Sequence, residues 1–331
     1  MIGMDIKAIQ NYLGEDWKSV RDVICSVLES DIDLLNSTNA SILSHSGKQM
    51  RPMLSLLMAM ACSSGPVPKA TVSYAAAAEL LHNATLLHDD VADGSDKRRG
   101  VPTIMSLMGP SVSVLVGDYW LVKAMELILD ADDSSSSSVM RIFAKTLSDL
   151  AEGEMLQLQK AQKGDTVEDD YLRIIYNKTA SLFEASCVSA AISVGASEQV
   201  TEAARNYAVA LGSAFQIQDD ILDYSGTDAV GKPLGADILE QKITLPLLGA
   251  LSNVSDEKAQ EIRRKIGNIV EHPQYREEII SFVRENKGIE YAMSRLSYYV
   301  EKAVAALGMM PDSQAKRYLV ELAYFTAERT M

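Results

Sequence analysis

Hydrophobic residues recur at intervals of three and four through most of the 331-residue chain. Residues 139–162 are a typical stretch, in which Leu147, Leu150 and Leu158 fall on one face. This spacing indicates amphipathic helices, and the alternation typical of a half-buried strand is scarce. Alanine-rich runs such as 74–81 also favour closely packed helices. The pattern therefore predicts an all-α fold, a large helical bundle of roughly ten or more helices.

Short stretches rich in glycine, proline and serine interrupt this pattern. We expect breaks at 63–68, 94–102, 109–110, 134–138, 163–165, 195–198, 225–235 and 272–273. The serine run at 134–138 is typical of a loop tip. None of the breaks is long enough for an interdomain linker, so the sequence predicts a single domain over residues 1–331.

The charge of the chain excludes one class of partner. It carries 31 Lys and Arg against 45 Asp and Glu, a formal net charge of -14. A negative surface repels phosphate backbones, so we do not expect nucleic-acid binding. The same charge requires that an anionic substrate meet concentrated basic residues or metal ions.

Cysteine usage and hydropathy predict a cytoplasmic protein. Cys25, Cys62 and Cys187 lie far apart and form no CxxC pair, so we expect reduced and mostly buried thiols. The N-terminal residues lack the pattern of a signal peptide. No run of 18 or more apolar residues occurs, and we expect no integral membrane segment.

Two acidic motifs stand out because they repeat. The sequence Asp-Asp-x-x-Asp occurs twice, each time after a helical apolar stretch and shortly before a glycine. We call Asp89, Asp90 and Asp93 the first aspartate cluster, and Asp219, Asp220 and Asp223 the second aspartate cluster. One such motif is an ordinary solvated turn, whereas two in the same local context indicate a pseudo-symmetric pair with a shared task.

The position of these acids on their helices points to a bound cation. In each cluster the first and third aspartates lie one turn apart on the same face. The following glycines, Gly94 and Gly226, predict that both clusters lie at helix C-terminal ends. Carboxylates there oppose the helix dipole and repel each other, at a cost of about 0.3–1 kcal/mol each when exposed. A cation relieves this repulsion.

Magnesium suits these acids better than other metals. Mg²⁺ usually takes one or two carboxylates together with phosphate oxygens of a substrate. The spacing lacks the loop and central glycine of a calcium-binding EF-hand. Zinc is disfavoured because only His82 and His88 lie near, without a cysteine. The sequence therefore predicts Mg²⁺ as cofactor and a substrate that carries phosphate.

Basic residues are grouped around both clusters. They are Lys48, Arg51, Arg98, Arg99, Lys178, Lys232 and Lys242. Taken singly, each is an ordinary surface charge. Arginine forks and lysine ammonium groups also grip phosphate, so their grouping indicates a site for two polyphosphate groups.

These residues, in this order, resemble the trans-polyprenyl diphosphate synthases, the head-to-tail polyprenyl synthetase family. The ordered series is Gly47-Lys48-x-x-Arg51-Pro52, His82, Asp89-Asp90-x-x-Asp93, Arg98-Arg99-Gly100, Gly117-Asp118, Lys178-Thr179, Phe215-Gln216, Asp219-Asp220-x-x-Asp223, Gly231-Lys232-Pro233 and the segment 237–246 with Lys242. An isolated motif of this kind would be weak evidence, but the series is highly specific. Gln241 stands where the family commonly has glycine.

The resemblance implies an isoprenoid synthase fold around a deep central cavity and a homodimer. It also implies condensation of isopentenyl diphosphate with an allylic diphosphate through a carbocation, with release of pyrophosphate. The implied principal metal ligands are Asp89, Asp93 and Asp219, with Asp90 and Asp223 assisting directly or through water, and Asp220 completes the predicted metal-binding set. The implied allylic diphosphate site is Arg98, Lys178, Lys232 and Lys242, and the implied isopentenyl diphosphate site is Lys48, Arg51, His82 and Arg99. Thr179 and Gln216 would contact the reacting carbons, and with Lys178 they form the expected catalytic set.

The resemblance also suggests the length of the product. In this family, the residues four and five positions before the first aspartate form a floor that stops chain growth when they are aromatic. Here they are Thr85 and Ala84, both small, with Leu81 further along the helix. This predicts a medium- or long-chain synthase of octaprenyl type, such as one that makes a quinone side chain.

Three alternatives share the same motifs. A short-chain farnesyl or geranylgeranyl diphosphate synthase would differ only in its cavity. A terpene cyclase or head-to-head enzyme would leave Lys48, Arg51 and Arg99 without a purpose. A non-catalytic partner subunit of a heteromeric synthase typically lacks some of the aspartates, whereas both clusters are complete here.

Overall fold

The computed structural model describes residues 5–45, 47–98, 100–225 and 234–328. These residues form sixteen α-helices, one π-helical turn, one 3₁₀ turn and a two-stranded hairpin. The predicted all-α fold is confirmed. Arg99 and Lys232, two of the expected phosphate-binding residues, lie outside the described residues.

The elements follow one another with short connections. In chain order the helices are α1 Ile6–Val27, α2 Asp33–Ser44, α3 Met50–Cys62, α4 Lys69–Ala92, α5 Ile104–Met108, α6 Pro110–Leu129, α7 Ser136–Lys163, α8 Glu168–Ile175, α9 Ser181–Ser193, α10 Glu198–Ser225, α11 Ala236–Leu239, α12 Leu245–Ser252, α13 Asp256–Gly267, α14 Tyr275–Glu285, α15 Gly288–Ala306 and α16 Gln314–Glu328. The hairpin strands are β1 Lys97–Arg98 and β2 Val101–Pro102, and the π-helical and 3₁₀ turns are Tyr176–Ala180 and Leu307–Met309.

One predicted loop is shorter than expected. The serine run was predicted to be a loop over 134–138, but helix α7 already begins at Ser136. The Asp133 carboxylate accepts hydrogen bonds from the backbone N–H of Ser135 at 3.0 Å and from its hydroxyl at 2.6 Å. Tyr74 of α4 donates to the same carboxylate at 3.0 Å. This anchored aspartate starts the helix within the serine run, because it satisfies donors at the helix start.

The described chain divides into two compact units. The first unit comprises Met1–Ala144, Leu182–Arg205 and Gly308–Leu319, and the second comprises Lys145–Ser181, Asn206–Leu307 and Val320–Met331. Each unit is therefore assembled from three separate stretches of chain. That the whole chain is a single domain stays a prediction.

In the first unit, helix α4 lies at the centre of the core. It is buried on nearly every side from Ala70 to Leu81 and packs against α1, α3 and α6. Its small alanines allow this close approach of backbones. The hydroxyl of Ser113 in α6 donates to the carbonyl of Leu87 at 2.8 Å. The first aspartate cluster thus extends from the most firmly packed helix of its unit.

In the second unit, glycines allow helices to pack closely. A Cβ on Gly212 of α10 would lie 2.6 Å from the Ala180 Cα, and a Cβ on Gly288 would lie 2.1 Å from the Pro246 carbonyl oxygen. Both distances are shorter than any real Cβ contact, so a larger residue would push the helices apart. Gly212 thereby lets α10, which carries the second aspartate cluster about two turns further on, pack directly against the π-helical turn.

The three cysteines carry free thiols, as expected. Cys187 is buried, Cys62 is partly buried, and Cys25 is exposed, unlike the mostly buried set predicted. Burial raises the pKa of Cys62 to about 12 and also raises that of Cys187. Cys62 and Cys187 are therefore protonated and unreactive at neutral pH.

Among the described residues, no helix combines the length and the apolar content that crossing a membrane requires.

Candidate active site

The first aspartate cluster occupies the C-terminal end of α4, as predicted. Asp93 caps the helix, and Asp89 is half-buried. Asp90 is only 4% exposed and accepts a hydrogen bond from Nε of Arg98 at 2.8 Å. Burial raises the pKa of Asp90, and the Arg98 guanidinium opposes this rise. The second aspartate of this cluster is thus held inward by an arginine.

The short hairpin explains how Arg98 reaches Asp90. After Asp93 the chain turns, and the Ser95 N–H donates to the Asp90 carbonyl at 2.9 Å. Strands β1 and β2 then pair in antiparallel register, with Arg98 opposite Val101. The hairpin folds the arginine back over the helix end.

The Gly117-Asp118 motif lies against the same helix. A Cβ on Gly117 would come within 2.4 Å of Nε2 of His88, so only glycine leaves room for the imidazole. The His88 ring lies 3.2 Å from the Asp118 carboxylate. Gly117 is therefore required for α6 to pack beside the residue that precedes Asp89.

The second aspartate cluster lies near the C-terminal end of α10, and its middle carboxylate is also buried. Asp220 is 3% exposed. The Tyr171 hydroxyl donates to its Oδ2 at 2.7 Å, and the Gln216 amide donates to its Oδ1 at 2.9 Å. Burial and the nearby Asp237 raise the pKa of Asp220 well above its usual range, while the two donors oppose this rise.

The third aspartate of this cluster binds backbone. Its two carboxylate oxygens accept the N–H groups of Ala236 at 3.0 Å and Asp237 at 3.2 Å. The Gly235 N–H donates to the Asp223 carbonyl at 2.9 Å, and Gly235 has a φ of 72°, which favours glycine. Asp223 thereby fixes the chain at the start of α11.

Lys178 and Thr179 lie in the π-helical turn between α8 and α9. The Thr179 hydroxyl donates to the Gln216 side-chain oxygen at 2.9 Å. Lys178 forms an ion pair with Glu154 of α7 and donates to the Gln157 side-chain oxygen at 3.3 Å. Such single π-turns within helices are common at functional sites because they redirect side chains.

A cavity of about 120 Å³ in the second unit joins these groups. Its polar lining comprises Gln157, Lys160, Thr166, Tyr171, Lys178, Gln216, Asp220, Asp237, Lys242 and Thr244. Lys242 forms an ion pair with Glu240, and Lys160 lies 2.8 Å from Asp170. Three lysines that face two aspartates suit a ligand that carries both phosphate and a divalent cation.

The remaining predicted residues of the first unit are placed as follows. Lys48 is exposed, His82 is half-buried, and the Arg51 guanidinium lies 5.0 Å from the centre of the Phe183 ring. Ala84 and Leu81 are buried in α4, and the hydroxyl of half-buried Thr85 donates to the His82 carbonyl at 2.8 Å. The first unit therefore holds the first aspartate cluster and Arg98, and the second unit holds the second cluster with Lys178, Thr179, Gln216 and Lys242.

Gln241 shows why glycine is common at its position. Its φ of 59° is in the left-handed region, which side chains other than glycine adopt at a cost. The Gln241 amide donates to the Gly267 carbonyl at 3.0 Å, a contact that helps to hold this conformation. The residue is tolerated here because it gains a partner.

The chain matches one protein family over most of its length. Residues 32–283 match the model of the family described as polyprenyl synthetase. The chain belongs to this family. The predictions that it is a prenyltransferase and a polyprenyl diphosphate synthase of the medium- or long-chain class are confirmed.

Individual relatives agree with this assignment over the full chain. The octaprenyl diphosphate synthase of Haemophilus influenzae is 38% identical, and the match covers 98% of each chain. The crystal structure of a decaprenyl diphosphate synthase from Rhodobacter capsulatus is 35% identical with a TM-score of 0.90, over 98% of this chain and 99% of that one. A polyprenyl synthase from Caulobacter crescentus, crystallised with calcium and isoprenyl diphosphate, is 32% identical with a TM-score of 0.90, over 99% of both. The polyprenyl synthetase described here therefore has the isoprenoid synthase fold.

Several residues of this polyprenyl synthetase site could not be predicted from the sequence. Tyr171, Glu154 and Gln157 contact the predicted residues but belong to no repeated motif. Glu154 and Gln157 lie on a helix face that reads as ordinary amphipathic sequence. Their partners lie on other helices, so sequence spacing alone carries no signal for them.

Gly153 of α7, which packs against the π-helical turn, generates a prediction. A Cβ on Gly153 would lie 2.7 Å from the Asn177 Cβ and 3.0 Å from the Lys178 Cγ. We expect Gly153→Ala to displace the Lys178 side chain and to lower kcat/KM by roughly tenfold to a hundredfold. Synthase assays and thermal unfolding of the purified variant check this outcome.

Gly267→Ala is the matched control, because a Cβ there meets nothing within 4 Å. It should leave activity unchanged. A Gly153→Ala enzyme as active as this control would contradict the proposed tight fit.

Proposed function

We propose that this polyprenyl synthetase joins isopentenyl diphosphate head-to-tail to an allylic diphosphate and releases an all-trans product of octaprenyl type. The observation that carries the proposal is the cavity in which Lys178 and Lys242 lie beside Asp220, with Gln216 and Thr179 next to them. Lysines that converge on one cavity beside the second aspartate cluster fit a diphosphate that is bound together with a divalent metal. Two of the relatives, an octaprenyl and a decaprenyl diphosphate synthase, support the same conclusion.

We propose Mg²⁺ as the metal, because its candidate ligands are all hard carboxylate oxygens. Asp89 and Asp219 are half-buried and Asp93 is exposed, while Asp90 and Asp220 are buried with protein donors. Within the described part of the chain, no group of three metal-binding side chains has already converged. Mg²⁺ requires no such cage when substrate phosphates complete its coordination. When bound, it would offset the charge that develops on the leaving diphosphate.

The basic residues would then exchange partners. Lys178 and Lys242 each form an ion pair with a glutamate, Glu154 and Glu240. A diphosphate offers more negative charge than one carboxylate, so the allylic substrate would displace these glutamates from the lysines. The proposed allylic site also includes Arg98 and Lys232, and the proposed isopentenyl site includes Lys48, Arg51, His82 and Arg99.

The reaction needs orientation and charge stabilisation more than a nucleophile. Cleavage of the allylic C–O bond gives a carbocation and pyrophosphate, and the isopentenyl double bond attacks the cation. The proton that is lost goes to the departing pyrophosphate. The oxygens of Thr179 and Gln216 would face the cation, and the closed site would exclude water that otherwise traps it.

The other readings fit the observations less well. A partner subunit without activity would not need both clusters complete. A terpene cyclase would not need the isopentenyl-binding residues. The cytoplasmic location predicted from the sequence remains part of this proposal, and three thiols without a disulfide suit a reducing compartment.

A product assay tests the proposed function. We expect the purified protein, with isopentenyl diphosphate, an allylic primer and Mg²⁺, to release a product of roughly six to ten isoprene units, because the residues at the predicted floor, Ala84 and Thr85, are small. Asp219→Asn should lower activity by on the order of a hundredfold, and chelation of the metal should abolish it. Mass spectrometry of the extracted product gives its length.

Asp132→Asn serves as control, because Asp132 is an exposed acid outside both clusters. It should retain full activity. Absence of any product with the wild-type protein would favour the partner-subunit reading, and a product of three or four units would favour a short-chain synthase.

The floor of the pocket generates a second prediction. Ala84 is fully buried one turn and a half before Asp89 on α4. We expect Ala84→Tyr to shorten the product, because an aromatic ring would occupy the space into which the chain grows. Ser73→Tyr adds the same ring three turns earlier on the same helix and should leave product length unchanged. Equal product lengths in both variants would rule out a floor at Ala84.

We also propose that the chain forms a homodimer through α6. Leu115, Val122 and Leu129 are spaced by seven residues and are 67%, 51% and 59% exposed. This spacing places them on one face of the helix. An exposed apolar stripe of this kind is typical of an interface, and the same stripe on a second copy is its natural partner.

Light scattering tests this assembly. We expect the wild-type protein to have the mass of a dimer and Val122→Glu to shift it toward the monomer, because the interface would bury an unpaired charge. Val270→Glu is the control, since Val270 is 73% exposed and lies in the other unit. A Val122→Glu protein that keeps the wild-type mass would contradict an interface at this stripe.

A further inference from the structure

A chain of hydrogen bonds links the π-helical turn to the second aspartate cluster and ends at a tyrosine. Thr179 donates to the Gln216 oxygen at 2.9 Å, and the Gln216 amide donates to Oδ1 of Asp220 at 2.9 Å. The Tyr171 hydroxyl donates to Oδ2 of Asp220 at 2.7 Å. Both oxygens of the carboxylate therefore have a donor from the protein.

Burial makes this arrangement rigid. Tyr171 and Asp220 are each 3% exposed, so neither can turn toward solvent for a substitute partner. Their helices also have little room to shift, because Gly212 of α10 contacts the backbone of Ala180. A buried hydrogen bond to a carboxylate is among the stronger kinds, so its loss weakens the hold of the protein on this carboxylate.

The direction of each hydrogen bond has a chemical consequence. Asp220 accepts from both neighbours, so the Gln216 side chain must present its NH₂ group to Asp220 and its oxygen to Thr179. The Thr179 proton is thereby committed to Gln216, and its lone pairs are available to face a cation. If the carboxylate were not fixed, the amide could flip and the Thr179 hydroxyl could rotate.

We propose that Tyr171 is a positioning residue, which acts through Asp220 to hold Gln216 and Thr179 in the orientation that the reacting carbons require. Asp220 then serves as an internal anchor rather than a direct metal ligand. The proposal rests on the proposed roles of Gln216 and Thr179 at the reacting carbons. The three aspartates of the second cluster then have different roles: Asp219 binds the metal, Asp220 anchors Gln216, and Asp223 binds backbone N–H groups.

The first cluster supports this division by contrast. Its middle residue, Asp90, is also buried, but its donor is the charged Arg98. Asp220 has two neutral donors, and one of them, Gln216, also contacts a residue of the π-helical turn. Asp220 therefore orients Gln216 directly and Thr179 through Gln216, whereas the Asp90 carboxylate is bound by its own arginine partner.

Tyr171→Phe removes only the hydroxyl. We expect kcat to fall about tenfold, the cost of one charge-assisted hydrogen bond, while KM for the allylic diphosphate changes little. Calorimetric binding of inorganic pyrophosphate in the presence of Mg²⁺ should be within about twofold of wild type, and it should be lost in Asp219→Asn. Tyr74→Phe is the matched control, because Tyr74 is also buried and also donates to an aspartate, Asp133.

A double-mutant cycle with Thr179→Val tests the connection itself. If Tyr171 acts through the chain of hydrogen bonds, the double variant should be no slower than Thr179→Val alone; independent roles would give multiplied losses. Asp220→Asn supplies a second variant in case Tyr171→Phe fails to fold. Asparagine offers one acceptor oxygen where Asp220 offers two, so either the Tyr171 hydroxyl reverses or the Gln216 amide flips. The orientation of Gln216 is then no longer fixed, and we expect kcat to fall in the same way.

The outcomes distinguish this proposal from the proposed function. A wild-type protein without product contradicts the reaction itself. A Tyr171→Phe enzyme as fast as Tyr74→Phe contradicts the positioning role. A parallel loss of kcat and of pyrophosphate binding in Tyr171→Phe would show that Asp220 serves the metal, and would overturn the assignment of Asp220 as an anchor.

Discussion

Burying a carboxylate near the end of a helix is the constraint on which each of the two aspartate clusters depends. The middle aspartate of each cluster points into the protein, where an ionised carboxyl without partners is costly. Asp90 meets this cost with Arg98, and Asp220 meets it with Tyr171 and Gln216. The hairpin after α4 places Arg98 beside Asp90. The π-helical turn before α9 carries Thr179, which donates a hydrogen bond to Gln216. The first and third acids of each cluster thereby keep fixed positions at the helix ends.

The net charge of -14 is compatible with a polyanionic substrate because the basic residues expected to bind it are grouped near the two aspartate clusters. The cations expected to meet diphosphate, Arg98, Lys178 and Lys242, each have an acidic partner. On substrate binding, each of these side chains would exchange a carboxylate for a diphosphate. This exchange costs less free energy than removing water from a side chain that had no acidic partner.

The helices and the two clusters could be predicted because each depends on nearby residues. Apolar spacing reports which face of a helix is buried, and the i to i+4 spacing of aspartates reports their shared face. The serine run at 134–138 was misread because Tyr74 and Asp133, which stabilise the start of α7, are distant or ambiguous in sequence. The π-helical turn at Lys178 was missed for a similar reason: close contact with α10, through Gly212, accompanies it.

The chemistry could be predicted from the residues alone: two acidic motifs, a set of basic residues in a specific order, and an all-α chain that carries them. Which acids turn inward, and which partners hold them, became visible only in the folded chain. The reason is that a side-chain hydrogen bond between helices depends on their packing, and packing brings together residues such as Tyr171 and Asp220 that lie far apart in the chain. Helical periodicity depends on residues that are close in the sequence, whereas the partner of a buried carboxylate can come from a distant helix.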